Sequence, residues 1–166
     1  EVVYYNGSIS HEENRILASD MILSAVKTAN PTSILEVGFN RGSSSLLFLL
    51  HSNAKVTSID THNKPHSVNY LVNTFGDRFK FVLGNSQEID MSQFSDFDLV
   101  FLDGDHSYEG VYQDIGQVLK VNPKYILFDD YYHPAHGEDI KNAIAQYPNL
   151  ELVDDYFNQA LFKVVS

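Results

Sequence analysis

Acidic residues follow two short apolar stretches of this chain. The stretch 97–102 is followed by the sequence DGDH (103–106), and the stretch 125–128 is followed by Asp129 and Asp130. Short apolar runs of this kind are typical of strands that are buried on both faces of a parallel sheet. Because such sheets bind ligands just beyond the carboxyl ends of their strands, the pattern predicts a functional site there. Buried carboxylates at that site would need a cation, a proton or a polar substrate to offset the cost of burial.

The residue types at this site indicate its chemistry. Two predicted neighbouring strands are followed by acids, one by Asp103 and the other by Asp129 and Asp130. We call these three residues the acidic cluster and expect their carboxylates to converge. Carboxylate oxygens are ligands of hard cations, and the absence of cysteine excludes a thiolate zinc site. The cluster therefore predicts a site for Mg²⁺, or alternatively Mn²⁺ or Ca²⁺. His106 can accept a proton at neutral pH because the ordinary pKa of histidine is about 6.5.

A second motif follows the first predicted strand. The first predicted strand passes into a glycine loop (residues 38–45), which leads into a predicted helix. Across this junction lie four residues spaced two apart: Glu36, Gly38, Asn40 and Gly42. The dinucleotide fingerprint G-x-G-x-x-G would need glycine at Asn40 and at Ser43, so a nicotinamide site is disfavoured. No Gly-Lys-Ser/Thr follows, which also excludes a phosphate-binding P-loop.

This motif resembles the first motif of class I S-adenosylmethionine-dependent methyltransferases, acid-x-Gly-x-Gly-x-Gly, with Asn40 in place of the middle glycine. Asparagine tolerates left-handed backbone geometry, so the loop can keep its path. The resemblance implies that the loop lies under the methionine moiety of the cofactor, that Asp60 accepts the ribose hydroxyls, and that the segment after the third strand contacts the adenine. The cofactor-binding residues that it implies are Glu36, Gly38, Asn40, Gly42, Ser43, Asp60, Ser86, Gln87 and Asp103.

The stretch 97–106, taken with Asp129 and Asp130, resembles the cation-dependent O-methyltransferases of the catechol type and of the macrolide-sugar type. The resemblance implies that Asp103, Asp129 and Asp130 are metal ligands and that His106, at the offset of the family's lysine base, acts with Asp103 in catalysis. Asp130 stands where the catechol type has asparagine. The implied reaction is metal-assisted methyl transfer from S-adenosylmethionine to a hydroxyl oxygen of a small molecule.

The elements that must position these residues form an α/β pattern: a helix, five β/α units and a terminal hairpin. It predicts a Rossmann-like methyltransferase fold with a mostly parallel seven-stranded sheet, a C-terminal antiparallel hairpin and helices on both faces. We expect one domain over 1–166, with an N-terminal helix region (1–30) and a cofactor-binding core (31–166). Predicted strands are 33–38, 55–60, 78–83, 97–102, 125–128, 150–156 and 160–165, and predicted helices are 11–29 (capped by Ser10), 46–50, 65–75, 108–120 and 138–147.

The composition limits the kinds of partner that the chain is expected to bind. A net charge of −11 disfavours nucleic acid and anionic membranes, and no apolar run is long enough to cross a membrane. A chain without cysteine and without a membrane span is expected to be cytoplasmic. The short segment before the first strand predicts a substrate cap that is reduced or supplied by a partner subunit, which allows a homo-oligomer.

Three alternatives stay open at this point. The chain could be a methyltransferase that needs no metal, or a methyltransferase fold without activity that serves as a binding module. A dinuclear metallohydrolase would use the acidic cluster together with Asp105, His106 and His133, but it would leave the glycine loop and Asp60 without a role.

Overall fold

The computed structural model describes residues 11–165, with side chains from residue 16 onward. Ser10, the predicted cap of the first helix, lies outside the described residues. The helices are α1 (His11–Ala29), α2 (Ser43–His51), α3 (Pro65–Phe75), α4 (Tyr108–Val118) and α5 (Gly137–Ile144). The strands are β1 (Ser33–Val37), β2 (Lys55–Asp60), β3 (Phe79–Leu83), β4 (Leu99–Leu102), β5 (Tyr125–Phe128), β6 (Leu150–Tyr156) and β7 (Gln159–Val164).

The strands form one seven-stranded sheet in the order β3-β2-β1-β4-β5-β7-β6. The first five strands in this order are parallel, whereas β7 pairs antiparallel with both β5 and β6. Only two residues connect β6 to β7, and such a short link allows only an antiparallel hairpin. The predicted mostly parallel sheet with a terminal antiparallel hairpin is therefore confirmed.

The sheet is covered on both faces, as predicted. On one face β1, β4 and β5 pack against α4 and α5, with Val100 and Ile126 near the middle. On the other face Ile34, Leu99 and Leu127 pack against residues of α1 and α2. Every residue of β4 is buried, which explains why its sequence is continuously apolar rather than alternating.

Several predicted boundaries shift. β4 begins at Leu99 because Asp98 lies at the amino end of the strand, where its carboxylate accepts hydrogen bonds from Thr32 and pairs with Lys124 at 2.7 Å. In α1, Ile22 and Val26 are buried, whereas Ile16 is 56% exposed. None of the helices within residues 11–165 is long and apolar enough to cross a membrane.

Candidate functional site

A cleft of about 390 Å³ opens at the carboxyl ends of β1 to β4, the edge of the sheet where the sequence predicts a site. Six of the predicted cofactor-binding residues line it, and so do residues that were not predicted to bind the cofactor. The lining includes Gly38, Asn40, Asp60, Ser86, Gln87 and Asp103, together with Gly104, Asp105 and Asp114. The residues predicted from separate motifs therefore share one cavity.

The glycine loop approaches the end of β4 so closely that Gly38 has no room for a side chain. Its φ is +95°, and a Cβ atom there would lie 2.0 Å from the carbonyl oxygen of Asp103. Asn40 adopts the left-handed conformation (φ +47°), as its place in the motif predicts. Its backbone N–H donates to Oδ2 of Asp60 (2.8 Å), and the N–H of His62 donates to Oδ1 (2.7 Å). Asp60 thus anchors the loop, and its remaining lone pairs stay available in the cleft that it lines.

Glu36 does not reach the cleft. Its side chain is fully buried, and its carboxylate accepts hydrogen bonds from the hydroxyls of Ser44, Ser45 and Ser58, the last at 2.6 Å. Burial outweighs these hydrogen bonds and raises the pKa of Glu36 to about 7. The residue joins β1 to α2 and β2 and does not line the cleft.

Gly42 and Ser43 also lie outside the cleft lining, although the motif assigned both to the cofactor. Gly42 has φ +79° and precedes the first turn of α2, where a Cβ atom would meet the ring of Phe39 at 2.7 Å. Ser43 is the first residue of α2, which begins three residues earlier than predicted. Both residues set the start of this helix.

Asp114, on α4, is a cleft residue that the sequence interpretation missed. It is 3% exposed, and its Oδ1 accepts a hydrogen bond from the hydroxyl of Ser86 (2.7 Å). Burial raises the pKa of Asp114 to about 6, and the hydrogen bond from Ser86 opposes the shift. The sequence does contain a pattern that could have identified Asp114. It lies three residues after Val111 and four before Val118, on the core-facing side of α4, where an apolar residue is expected.

His106 lies between two carboxylates of the acidic cluster. Its Nε2 is 3.4 Å from Oδ1 of Asp103, and its Nδ1 is 3.7 Å from Oδ2 of Asp130. The Nε2 atom is buried and its contact with Asp103 lacks hydrogen-bond geometry, so the interaction is an ion pair when the ring is protonated. The contact with Asp103, followed by the charge of Asp130, raises the pKa of His106 above its usual value against the effect of burial.

The terminal hairpin holds the two acids that follow β5. The side-chain amide of Gln159 donates to Oδ1 of Asp129 (2.7 Å), and that of Asn158 donates to Asp130. Burial, and then the charges of Asp103 and Asp130, raises the pKa of Asp129 well above its usual range. The three carboxylates therefore converge, as expected from the strand ends. The hairpin residues that position them were missed because their role depends on β7 lying beside β5.

The side chains of the acidic cluster are of the type that binds a hard cation. In residues 11–165, however, no group of three or more His, Asp or Glu side chains is arranged to hold a metal ion. The metal site thus stays a prediction from donor types. The loop after β5 adds a stack of imidazoles next to the cluster, with ring centroids 5.4 Å apart for His106–His136 and 4.7 Å apart for His133–His136.

Comparison with known proteins agrees with this architecture. A family model described as a methyltransferase domain matches residues 35–131, more than half of the chain. The chain therefore belongs to this methyltransferase family, which confirms the resemblance to class I methyltransferases stated from the sequence. No curated protein sequence matches the chain significantly.

Solved structures show the same fold at low identity. The Podospora anserina methyltransferase PaMTH1, bound to S-adenosylhomocysteine (SAH), is 16% identical with a TM-score of 0.68, over 90% of this chain and 78% of that one. CalS11, a TDP-rhamnose 3'-O-methyltransferase of calicheamicin biosynthesis, is 16% identical with a TM-score of 0.67, over 93% and 80%. The Burkholderia thailandensis 1,6-didemethyltoxoflavin-N1-methyltransferase is 16% identical with a TM-score of 0.64, over 99% and 94%. The last two differ in the atom that they methylate, so this fold alone does not fix the acceptor.

Proposed function

We propose that this chain is an S-adenosylmethionine-dependent methyltransferase that acts on a hydroxyl oxygen of a small molecule, with His106 as the general base. The observation that carries the proposal is the position of Asp103, which both lines the cleft and lies 3.4 Å from His106. A methyl donor in the cleft and a proton acceptor beside it would therefore act on the same acceptor oxygen. Placing reactants at such close range is a large part of the catalysis of group transfer.

The residues of the cleft fit the cofactor. Gly38 lines the cleft with backbone alone, Asp60 offers carboxylate lone pairs to the ribose hydroxyls, and Ser86 and Gln87 would border the adenine. When bound there, S-adenosylmethionine supplies a methyl group whose bond to the sulfonium sulfur breaks, with the electron pair staying on sulfur, as the acceptor oxygen attacks. SAH bound in PaMTH1, a protein of the same fold, supports this choice of cofactor.

His106 takes up the proton that the acceptor hydroxyl loses. Its contacts with Asp103 and Asp130 stabilise the imidazolium that forms, which is also why its pKa is raised. Because only the neutral ring can accept a proton, the base is active above that raised pKa. The half-buried position of the ring limits competition from water for the same proton.

A divalent cation is part of the proposal through donor chemistry. Asp103, Asp129 and Asp130 offer the oxygen ligands that Mg²⁺ prefers, and Mn²⁺ or Ca²⁺ would suit the same ligands. Burial, and then the negative charges of Asp103 and Asp130, raises the pKa of Asp129 well above its usual range. A cation held there would lower the pKa of the acceptor hydroxyl and offset this charge.

Methyl transfer from labelled S-adenosylmethionine to a panel of phenols, sugars and other small alcohols tests the proposal. We expect O-methylated product with the wild type, and a loss of about 10²-fold or more in kcat with His106→Gln. Stimulation by Mg²⁺ and inhibition by a chelator would support the cation, whereas equal rates in both conditions would identify a metal-independent enzyme. Cofactor binding without turnover on any hydroxyl acceptor would contradict the proposal.

A further inference from the structure

We propose that Asp114 determines cofactor specificity by making the inner end of the cleft select a 6-amino purine over a 6-oxo purine. This inference rests on the proposed function, which places the adenine of the cofactor beside Ser86 and Gln87. It goes beyond that function because it names the side chain that distinguishes adenine from hypoxanthine or guanine. None of the motifs in the sequence includes Asp114.

The hydrogen bond between Ser86 and Asp114 has a defined direction. A serine hydroxyl has one proton, and here Ser86 donates that proton to Oδ1 of Asp114 at 2.7 Å. The hydroxyl oxygen can therefore only accept a hydrogen bond from a ligand. An ionised carboxylate is also an acceptor without protons, and Asp114 lines the cleft with lone pairs that Ser86 does not occupy.

Gln87 carries hydrogen-bond donors close to Ser86 and Asp114. The backbone N–H of Gln87 already donates to the side chain of Asn85 at 3.1 Å. The side-chain amide of Gln87 lies near Asp114 and lowers the pKa of its carboxyl. Ser86 and Asp114 thus present acceptors at this end of the cleft, while the backbone N–H of Gln87 is engaged within the protein.

These acceptors match a purine that carries a donor at position 6. The amino group at position 6 of adenine donates hydrogen bonds, whereas the carbonyl at position 6 of hypoxanthine or guanine accepts them. A carbonyl placed against Ser86 and Asp114 would bring acceptors together and leave a buried carboxylate without its partner. At about pH 8 Asp114 is ionised, since its pKa is about 6, so the selectivity should be fully present there.

Competitive calorimetric titration at about pH 8 with SAH and with S-inosylhomocysteine tests the inference. We expect the wild type to bind SAH at least about tenfold more tightly than the inosyl analogue, and Asp114→Asn to reduce that ratio about tenfold, because an amide can donate to a carbonyl. Glu109→Gln, which removes one negative charge from an exposed position of the same helix, is the matched control and should keep the wild-type ratio.

The ratio of affinities separates this role from a purely structural one, since a loosened cleft would weaken both ligands together. Ser86→Ala, which removes the accepting hydroxyl but retains the carboxylate, should also lower the ratio and provides a second variant if Asp114→Asn does not fold. Equal affinities of the wild type for the two ligands, or an unchanged ratio in both variants, would overturn the inference and leave the proposed function intact. Failure of the wild type to bind SAH would overturn both.

Discussion

Glu36 offers a sharp test of the electrostatics beneath the glycine loop. The carboxyl is fully buried among three serine hydroxyls, and its pKa is raised from 4.5 to about 7. A group whose pKa is raised on folding binds its proton more tightly in the folded protein. Its contribution to stability is present below pH 4.5 and is lost as the pH rises through 7. Glu36→Gln retains the shape of the side chain but removes the titration.

The magnitude follows from the shift. Between the two pKa values the folded protein holds one proton more than the unfolded chain, which corresponds to about 1.4 kcal/mol per pH unit. Between about pH 5.5 and about pH 8.5, this lowers the free energy of unfolding of the wild type by about 2 kcal/mol relative to Glu36→Gln. The lower limit stays above the isoelectric point of about 4.8, where solubility is least.

Urea unfolding at both pH values measures this difference directly. Wild type and Glu36→Gln are compared, with the exposed Glu109→Gln as the control for loss of a negative charge. Other titrating groups, including Asp114, affect wild type and variant alike and cancel in the comparison. A stability difference between wild type and Glu36→Gln that is the same at both pH values would refute the reasoning, because it would mean that Glu36 titrates as an exposed glutamate does.

Three further predictions concern the site. Gly38→Ala should destabilise the protein to urea more than Gly76→Ala: both glycines have positive φ, a strain of about 1–3 kcal/mol for alanine, but only at Gly38 would a Cβ atom clash with Asp103. The specificity constant kcat/KM should rise with pH and level off above the pKa of His106, which is higher than about 6.5. His106→Gln should lose this pH dependence. The same pH profile in wild type and variant would rule out His106 as the base. Asp129→Asn should abolish stimulation by Mg²⁺ while SAH still binds in a titration, and an unchanged affinity for Mg²⁺ would show that Asp129 is not a ligand.

Much of the fold could be predicted because its central strands are short apolar runs with clear ends. β4 and β5 are buried on both faces, so their sequences are continuous apolar runs that end abruptly in acids. The hairpin was visible because three or fewer residues cannot connect parallel strands. Boundaries were less certain: α2 begins at Ser43 because Gly42 takes a left-handed conformation, which the sequence permits but does not demand.

The site was predicted where local motifs carry it and missed where tertiary contacts do. Gly38 and Asp60 line the cleft because each directly follows or ends a central strand. Glu36 belongs to the same motif, yet the serines that surround it come from α2 and β2, so its burial follows from packing rather than from spacing. Gln159 acts through a contact with Asp129, which no local pattern reveals. The spacing along α4 places Asp114 on the core-facing side, but its contact with Ser86 follows from packing alone.

Calorimetric titration of the wild type with SAH tests the central claim most directly, since every proposed role assumes that the cleft binds this cofactor. We predict saturable binding at one site per chain. Asp60→Ala should weaken it at least about tenfold, because the carboxylate of Asp60 both anchors Asn40 and lines the cleft. Absence of binding to the wild type, or equal binding by wild type and Asp60→Ala, would contradict the assignment of this cleft as the cofactor site.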